Sequence, residues 1–133
     1  QGVRFVGVGE SDHAGAAVNG LGDINGDGFD DFAIGAPDAL KSGETYRSGQ
    51  TYIVYGSDNW QESYELSNID GSFGLTIDGI GNDDFGSSVA TAGDFNGDGL
   101  ADILLGAPAA SGANDASQAG ETYVIYGDSG FFI

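Results

Sequence analysis

Apolar residues in this chain come in short runs rich in Val, Ile, Leu, Phe and Tyr, each bordered by Gly, Asp, Asn or Pro. Short β-branched and aromatic runs with turn-forming borders read as strands rather than helices. The pattern predicts strands near 16–21, 31–35, 51–55 and 75–78, then near 87–92, 102–106 and 122–126. Residues 3–6 match the run at 75–78 and precede the first strand of the first set. Helical signal is thin, with room for one turn in QESYELSNI at 61–69. Strands at this spacing, with no helices between them, predict an all-β fold of antiparallel four-stranded sheets repeated radially.

The two sets are copies of one unit. Laying residues 14–56 on 85–127 gives 18 identities in 43 ungapped positions. The matches run in order: Gly22-Asp23 on Gly93-Asp94, NGDG at 25–28 on 96–99, Asp31 on Asp102, GAP at 35–37 on 106–108, and Thr51-Tyr52 with Tyr55-Gly56 on Thr122-Tyr123 with Tyr126-Gly127. Repetition of this kind marks a fold assembled from stacked supersecondary units.

Composition narrows the classes. Of 133 residues, 40% are hydrophobic, enough for the core of one modest domain. Asp and Glu number 21 against three Lys and Arg, a formal charge of −18. Nucleic acid is excluded as a partner, because phosphate recognition needs clustered Lys and Arg. Cysteine is absent, so neither disulfides nor thiolate metal sites enter. No apolar stretch is long enough for a membrane-spanning helix.

The acid is concentrated at one point of each repeat. Asp23, Asn25, Asp27 and Asp31 stand at positions 1, 3, 5 and 9 of a loop, with the carbonyl of Phe29 at position 7; Asp94, Asn96, Asp98, Leu100 and Asp102 repeat the arrangement. Oxygen donors at alternate positions suit a hard cation taking six to eight ligands, Ca²⁺ ahead of Mg²⁺. Gly28 and Gly99 fall where the loop turns sharply. An EF-hand does not fit: its Glu at position 12 is replaced by Ile34 or Leu105, within strand-like runs. A polar turn is the bland reading of one copy, but two copies in register favour a pair of calcium loops clamping hairpins. Two bound Ca²⁺ would move the formal charge from −18 to about −14.

These residues resemble the FG-GAP repeats of the integrin α-subunit β-propeller and its bacterial relatives. The family's name elements stand here as Phe85-Gly86, Gly35-Ala36-Pro37 and Gly106-Ala107-Pro108, with the calcium loop between them. The first repeat departs from the pattern, having Ala14-Gly15 where the family has Phe-Gly. The resemblance implies propeller blades with calcium in the loops joining their first two strands. It also places ligands on the opposite face, here residues 9–13, 38–48, 81–84 and 109–119. The domain expectation is a single module, with blade 1 at 14–79 and blade 2 at 85–133 lacking its outermost strand. Residues 2–7 are a strand that completes a neighbouring blade.

Two blades do not close a propeller. The expected partners are therefore copies of the chain joined by strand addition, or the remaining blades of a longer chain. A protein or glycan ligand is a further expected partner. Catalysis is not expected: His13 is the single histidine and lies in a loop. Lys41, Tyr46 and Arg47 form either a recognition patch or solvated loop charges, and Trp60 with Tyr64 either stacks on a sugar or covers a blade edge. Calcium loops of this type work where the ion is abundant, which points to an extracellular or cell-surface location. The functional expectation is a non-enzymatic, calcium-binding module for adhesion or surface assembly. The alternatives are a structural subunit of a ring or filament, a lectin, and an accessory domain of a secreted hydrolase.

Overall fold

The computed structural model of the chain describes residues 2–41, 43–112 and 117–132. Among the described residues nine strands form: β1 (Arg4–Val6), β2 (Ala17–Gly22), β3 (Asp31–Ala36), β4 (Gln50–Val54), β5 (Ser63–Glu65), β6 (Gly74–Asp78), β7 (Ser88–Gly93), β8 (Asp102–Ala107) and β9 (Glu121–Ile125). The first repeat makes a four-stranded antiparallel sheet in the order β2-β3-β4-β6, and the second a three-stranded sheet, β7-β8-β9, among the described residues. Every strand expected from the apolar runs is present, displaced by a residue or so at its ends. Within 61–69, where one helical turn had room, the chain makes β5 and then a single 3-10 turn at Leu66–Asn68.

Both sheets carry the same irregularity. The β2–β3 register slips between Gly20 and Gly22, and the β7–β8 register between Thr91 and Gly93. The extra residue forms a bulge that bends each hairpin just before its acidic loop.

Strand alternation decides which side chains meet between the blades. Ala33, Ile53 and Tyr55 of the first repeat, with Leu21 and Ile24, pack against Phe85, Val89, Ile103, Leu105 and Ala107 of the second. Phe85 is 5% exposed and meets Tyr123 edge-on at 5.5 Å between centroids. The blades approach closely at Gly35, where an added Cβ would lie 2.0 Å from the carbonyl oxygen of Gly86. A side chain there would hold the sheets apart.

The other face of the first sheet, including Ile34, Tyr52 and Val54, is covered by Leu66, Phe5, Trp60, Ile69 and Phe73. Phe5 draws β1 onto β5, with Arg4 opposite Ser63 and Val6 opposite Glu65 in a parallel pair. Phe5 stacks on Tyr64 at 5.6 Å. The segment expected to complete a neighbouring blade is thus paired within its own chain on one edge, and its other edge has no strand partner among the described residues. The outer edge of β9 is likewise unpaired among them.

Candidate metal centre

Each acidic loop joins the first two strands of its blade and is folded by its own side chains. Asp23 Oδ1 accepts hydrogen bonds from the N–H groups of Gly26 (2.6 Å) and Asp27 (3.1 Å), and its Oδ2 from Gly28 (2.9 Å). Asn25 Oδ1 accepts from Asp27 N–H at 3.1 Å, while its amide donates to Asp27 Oδ2 at 3.2 Å. Asp27 Oδ1 accepts from Phe29 N–H at 2.8 Å. These are Asx-type turns, the short-range bonding that Asp and Asn favour over regular structure. Gly28 closes the turn at φ 89°, and Gly99 does so at φ 92° in the second loop, where a side chain is strained.

The second loop repeats the bonding. Asp94 accepts from Asp98 (2.9 Å) and Gly99 (3.0 Å), Asn96 accepts from Asp98 (3.1 Å) and donates to it (2.9 Å), and Asp98 accepts from Leu100 (2.9 Å).

The ninth-position carboxylates are the best buried. Asp31 is 1% exposed and Asp102 is fully buried. Asp31 Oδ2 accepts from Ile24 N–H at 2.9 Å and Oδ1 from Gly56 N–H at 2.7 Å. Asp102 makes the matching bonds to Phe95 (2.6 Å) and Gly127 (2.8 Å). Each carboxylate therefore latches its loop to the end of the third strand. That latch is a function the sequence did not reveal, although its signal was there in the repeated Tyr55-Gly56 and Tyr126-Gly127. Burial pushes the Asp31 carboxyl up to about 6; the two N–H donors oppose the shift, and the Asp27 and Asp23 carboxylates add to it.

All ten residues expected to supply ligands thus lie in two matching loops. Among the described residues, no three Asp, Glu or His side chains converge as a formed metal cluster. The carboxylate oxygens are turned to backbone N–H groups instead. The donor set still fits a hard cation, because every donor is an oxygen and, although Asp23 Oδ1 and Asp102 Oδ2 each accept two hydrogen bonds, the other oxygen of each carboxylate accepts one and keeps a lone pair.

The loops differ in what covers them. In blade 1, the Asp23 carbonyl accepts from Ala101 N–H (3.2 Å) and the Ile24 carbonyl from Asp128 N–H (3.0 Å), so blade 2 pins the loop from outside. Ile24 is fully buried, whereas its counterpart Phe95 is 66% exposed. Nothing among the described residues covers the second loop in the same way.

On the opposite side, His13 Nδ1 meets Asp38 Oδ2 at 2.6 Å, and Arg47 lies 3.4 Å from the same carboxylate. Lys41 is 3.9 Å from Asp78. The basic residues of that loop are thus neutralised within the chain. The Asp83 carbonyl accepts from Ala109 N–H at 3.2 Å, joining 81–84 to the start of 109–119. Ser42 and residues 113–116 of these loops lie outside the described residues.

Two matching antiparallel sheets, packed face to face and each opening on an oxygen-lined hairpin loop, define a class of repeat: blades of a β-propeller. The chain belongs to the FG-GAP repeat family, whose model matches residues 14–54 and 85–125. It is 35% identical over 105 residues to phosphatidylinositol-glycan-specific phospholipase D of Rattus norvegicus, a match covering 79% of this chain and 12% of that protein. It is 34% identical over 112 residues to integrin alpha-5 of Xenopus laevis, covering 81% and 9% respectively, and 39% identical over 98 residues to integrin alpha-E of Mus musculus, covering 69% and 8%. The chain thus spans about a tenth of the length of these relatives.

Proposed function

We propose that the chain is a calcium-binding module of an extracellular β-propeller that acts by contact, in adhesion or surface assembly, through protein or glycan partners and without catalysis. The observation that carries this reading is the repetition of one oxygen-donor loop at the same bulged hairpin of both blades. Ca²⁺ held by Asp23, Asn25, Asp27, Asp31 and the Phe29 carbonyl, and by Asp94, Asn96, Asp98, Asp102 and the Leu100 carbonyl, would offset carboxylate repulsion in a chain of formal charge −18. Loops of this kind suit the calcium concentrations found outside cells.

Calorimetric titration with Ca²⁺, paired with melting in calcium and in EDTA, tests the reading. Two sites and a higher melting temperature in calcium are expected; no uptake and an unchanged melting temperature would overturn it. At a free ion concentration 100 times the dissociation constant, each site adds about 2.7 kcal/mol.

The exposed Phe95 and the edge of β9, which has no strand partner among the described residues, support a further blade docked on blade 2, supplied by the rest of a longer chain or by another copy. Solution mass with and without chelator separates the two. A second reading, an accessory module of a secreted hydrolase, is favoured by the phospholipase D relatives, in which the matching segment is 12% of the whole.

A further inference from the structure

A pocket of about 150 Å³ opens beside the first acidic loop, where the connection from β4 to β6 folds back over the end of β4. Its lining combines Trp60, Tyr64 and Phe73 with Asp27, Ser57 and Asn59. The aromatic rings are held by one another. Trp60 meets Tyr64 edge-on at 5.5 Å, Tyr64 lies 5.4 Å from Phe73, and Tyr64 is backed by Phe5 on β1. The Tyr64 hydroxyl accepts from Gln61 N–H at 3.0 Å, which fixes the ring further. Ser57 and Asn59 are exposed at the rim, with Asn59 N–H donating to Ser57 Oγ at 3.1 Å.

We infer that this pocket binds a single neutral sugar ring, such as the terminal hexose of a glycan. The inference deepens the glycan arm of the function proposed above and rests on it. Rigid aromatic walls offer an apolar surface to the C–H face of a pyranose. The rim groups, a hydroxyl and a carboxamide, both donate and accept, as sugar hydroxyls require. An anionic ligand is disfavoured, since Asp27 is the one charged residue in the lining, and Lys41 and Arg47 are engaged with Asp78 and Asp38 on other loops. A small organic cation would be attracted by the aromatic rings and Asp27 but would leave the donors of Ser57 and Asn59 unused, which is why choline is a control. The site lies beside the calcium loop, away from the loops where the resemblance places ligands.

Trp60 is the only tryptophan in the sequence, and it borders both this pocket and a second hollow lined by Gly2, Val3, Asp58, Gln61 and Glu62, so its emission reports on either and Asn59→Ala, in the lining of the first alone, tells them apart. The experiment titrates the calcium-saturated chain with methyl β-D-glucopyranoside and methyl β-D-galactopyranoside, with methyl β-D-glucuronide and choline as charged controls. Ca²⁺ uptake is measured separately by calorimetry. The expected result is a saturable change with at least one neutral hexoside, at roughly millimolar concentration. Asn59→Ala should weaken it about tenfold while leaving calcium uptake unchanged. A response to neither hexoside, an equal response in Asn59→Ala, or tighter binding of choline or the glucuronide would overturn the inference. Calcium uptake without a hexoside response sinks this inference alone; absence of calcium uptake sinks the reading beneath it.

Discussion

Replacing Asp31 with Ala tests whether the ninth-position carboxylate is a latch as well as a ligand. The substitution removes the acceptor of two backbone N–H groups, Ile24 at 2.9 Å and Gly56 at 2.7 Å, at a residue 1% exposed to solvent. Each orphaned donor costs about 1–3 kcal/mol, so the sum is about 2–6 kcal/mol. Relief of the buried charge returns part of this, because burial already disfavours the ionised form of Asp31. A net loss of about 3 kcal/mol corresponds to a melting temperature lower by roughly 10 °C for a domain of this size. Circular dichroism melts should be recorded in EDTA, where ligand loss plays no part, and again in calcium, where the deficit should grow. Asp30→Ala, an exposed neighbour in the same loop, is the control and should stay within about 0.5 kcal/mol of the parent. If Asp31→Ala melts in EDTA within about 2 °C of the parent, the latch argument fails.

Three other outcomes follow from the packing and the charges. Ile24→Ser should destabilise the chain by about 3 kcal/mol or more, whereas Phe95→Ser at the equivalent position should cost less than about 0.5 kcal/mol in the isolated chain and lower its solution mass in calcium if another copy docks there; denaturant melts and sedimentation read the two effects. Gly35→Ala should cost about 3 kcal/mol or more by calorimetry, because its Cβ would sit 2.0 Å from the Gly86 carbonyl oxygen and the sheets must separate to admit it. Burial first, and then the charges of Asp12 and Asp78, push the Tyr52 hydroxyl up to about 12 from its ordinary value of 10.0. The folded state therefore favours the neutral phenol, and its contribution, on the order of 2–3 kcal/mol, is complete below pH 10 and lost as pH rises to about 12. Tyr52→Phe should make the loss of stability over that interval shallower, not abolish it, because Tyr55 and Tyr123 are also pushed up to about 12; tyrosinate absorbance and unfolding follow the change.

The strands were legible because alternation and turn chemistry are local: Phe32 to Ile34 reads as strand wherever it sits, and NGDG reads as a turn. The acidic loops were legible for a second reason, since the same donors recur 71 residues later and chance does not place them twice. β5 was not legible, because Ser63 to Glu65 is a strand only through pairing with β1 and the stacking of Phe5 on Tyr64.

The repeat, the all-β class and the positions of the acidic loop residues could be read from the chain alone, because each is written in spacing along one strand or turn. Tertiary structure alone decided that Asp31 bonds to Gly56, 25 residues away, that Ile24 is covered while Phe95 is open, and that Trp60, Tyr64 and Asp27 share one pocket. These depend on which sheet faces which, and packing between repeats leaves no periodic trace in the chain.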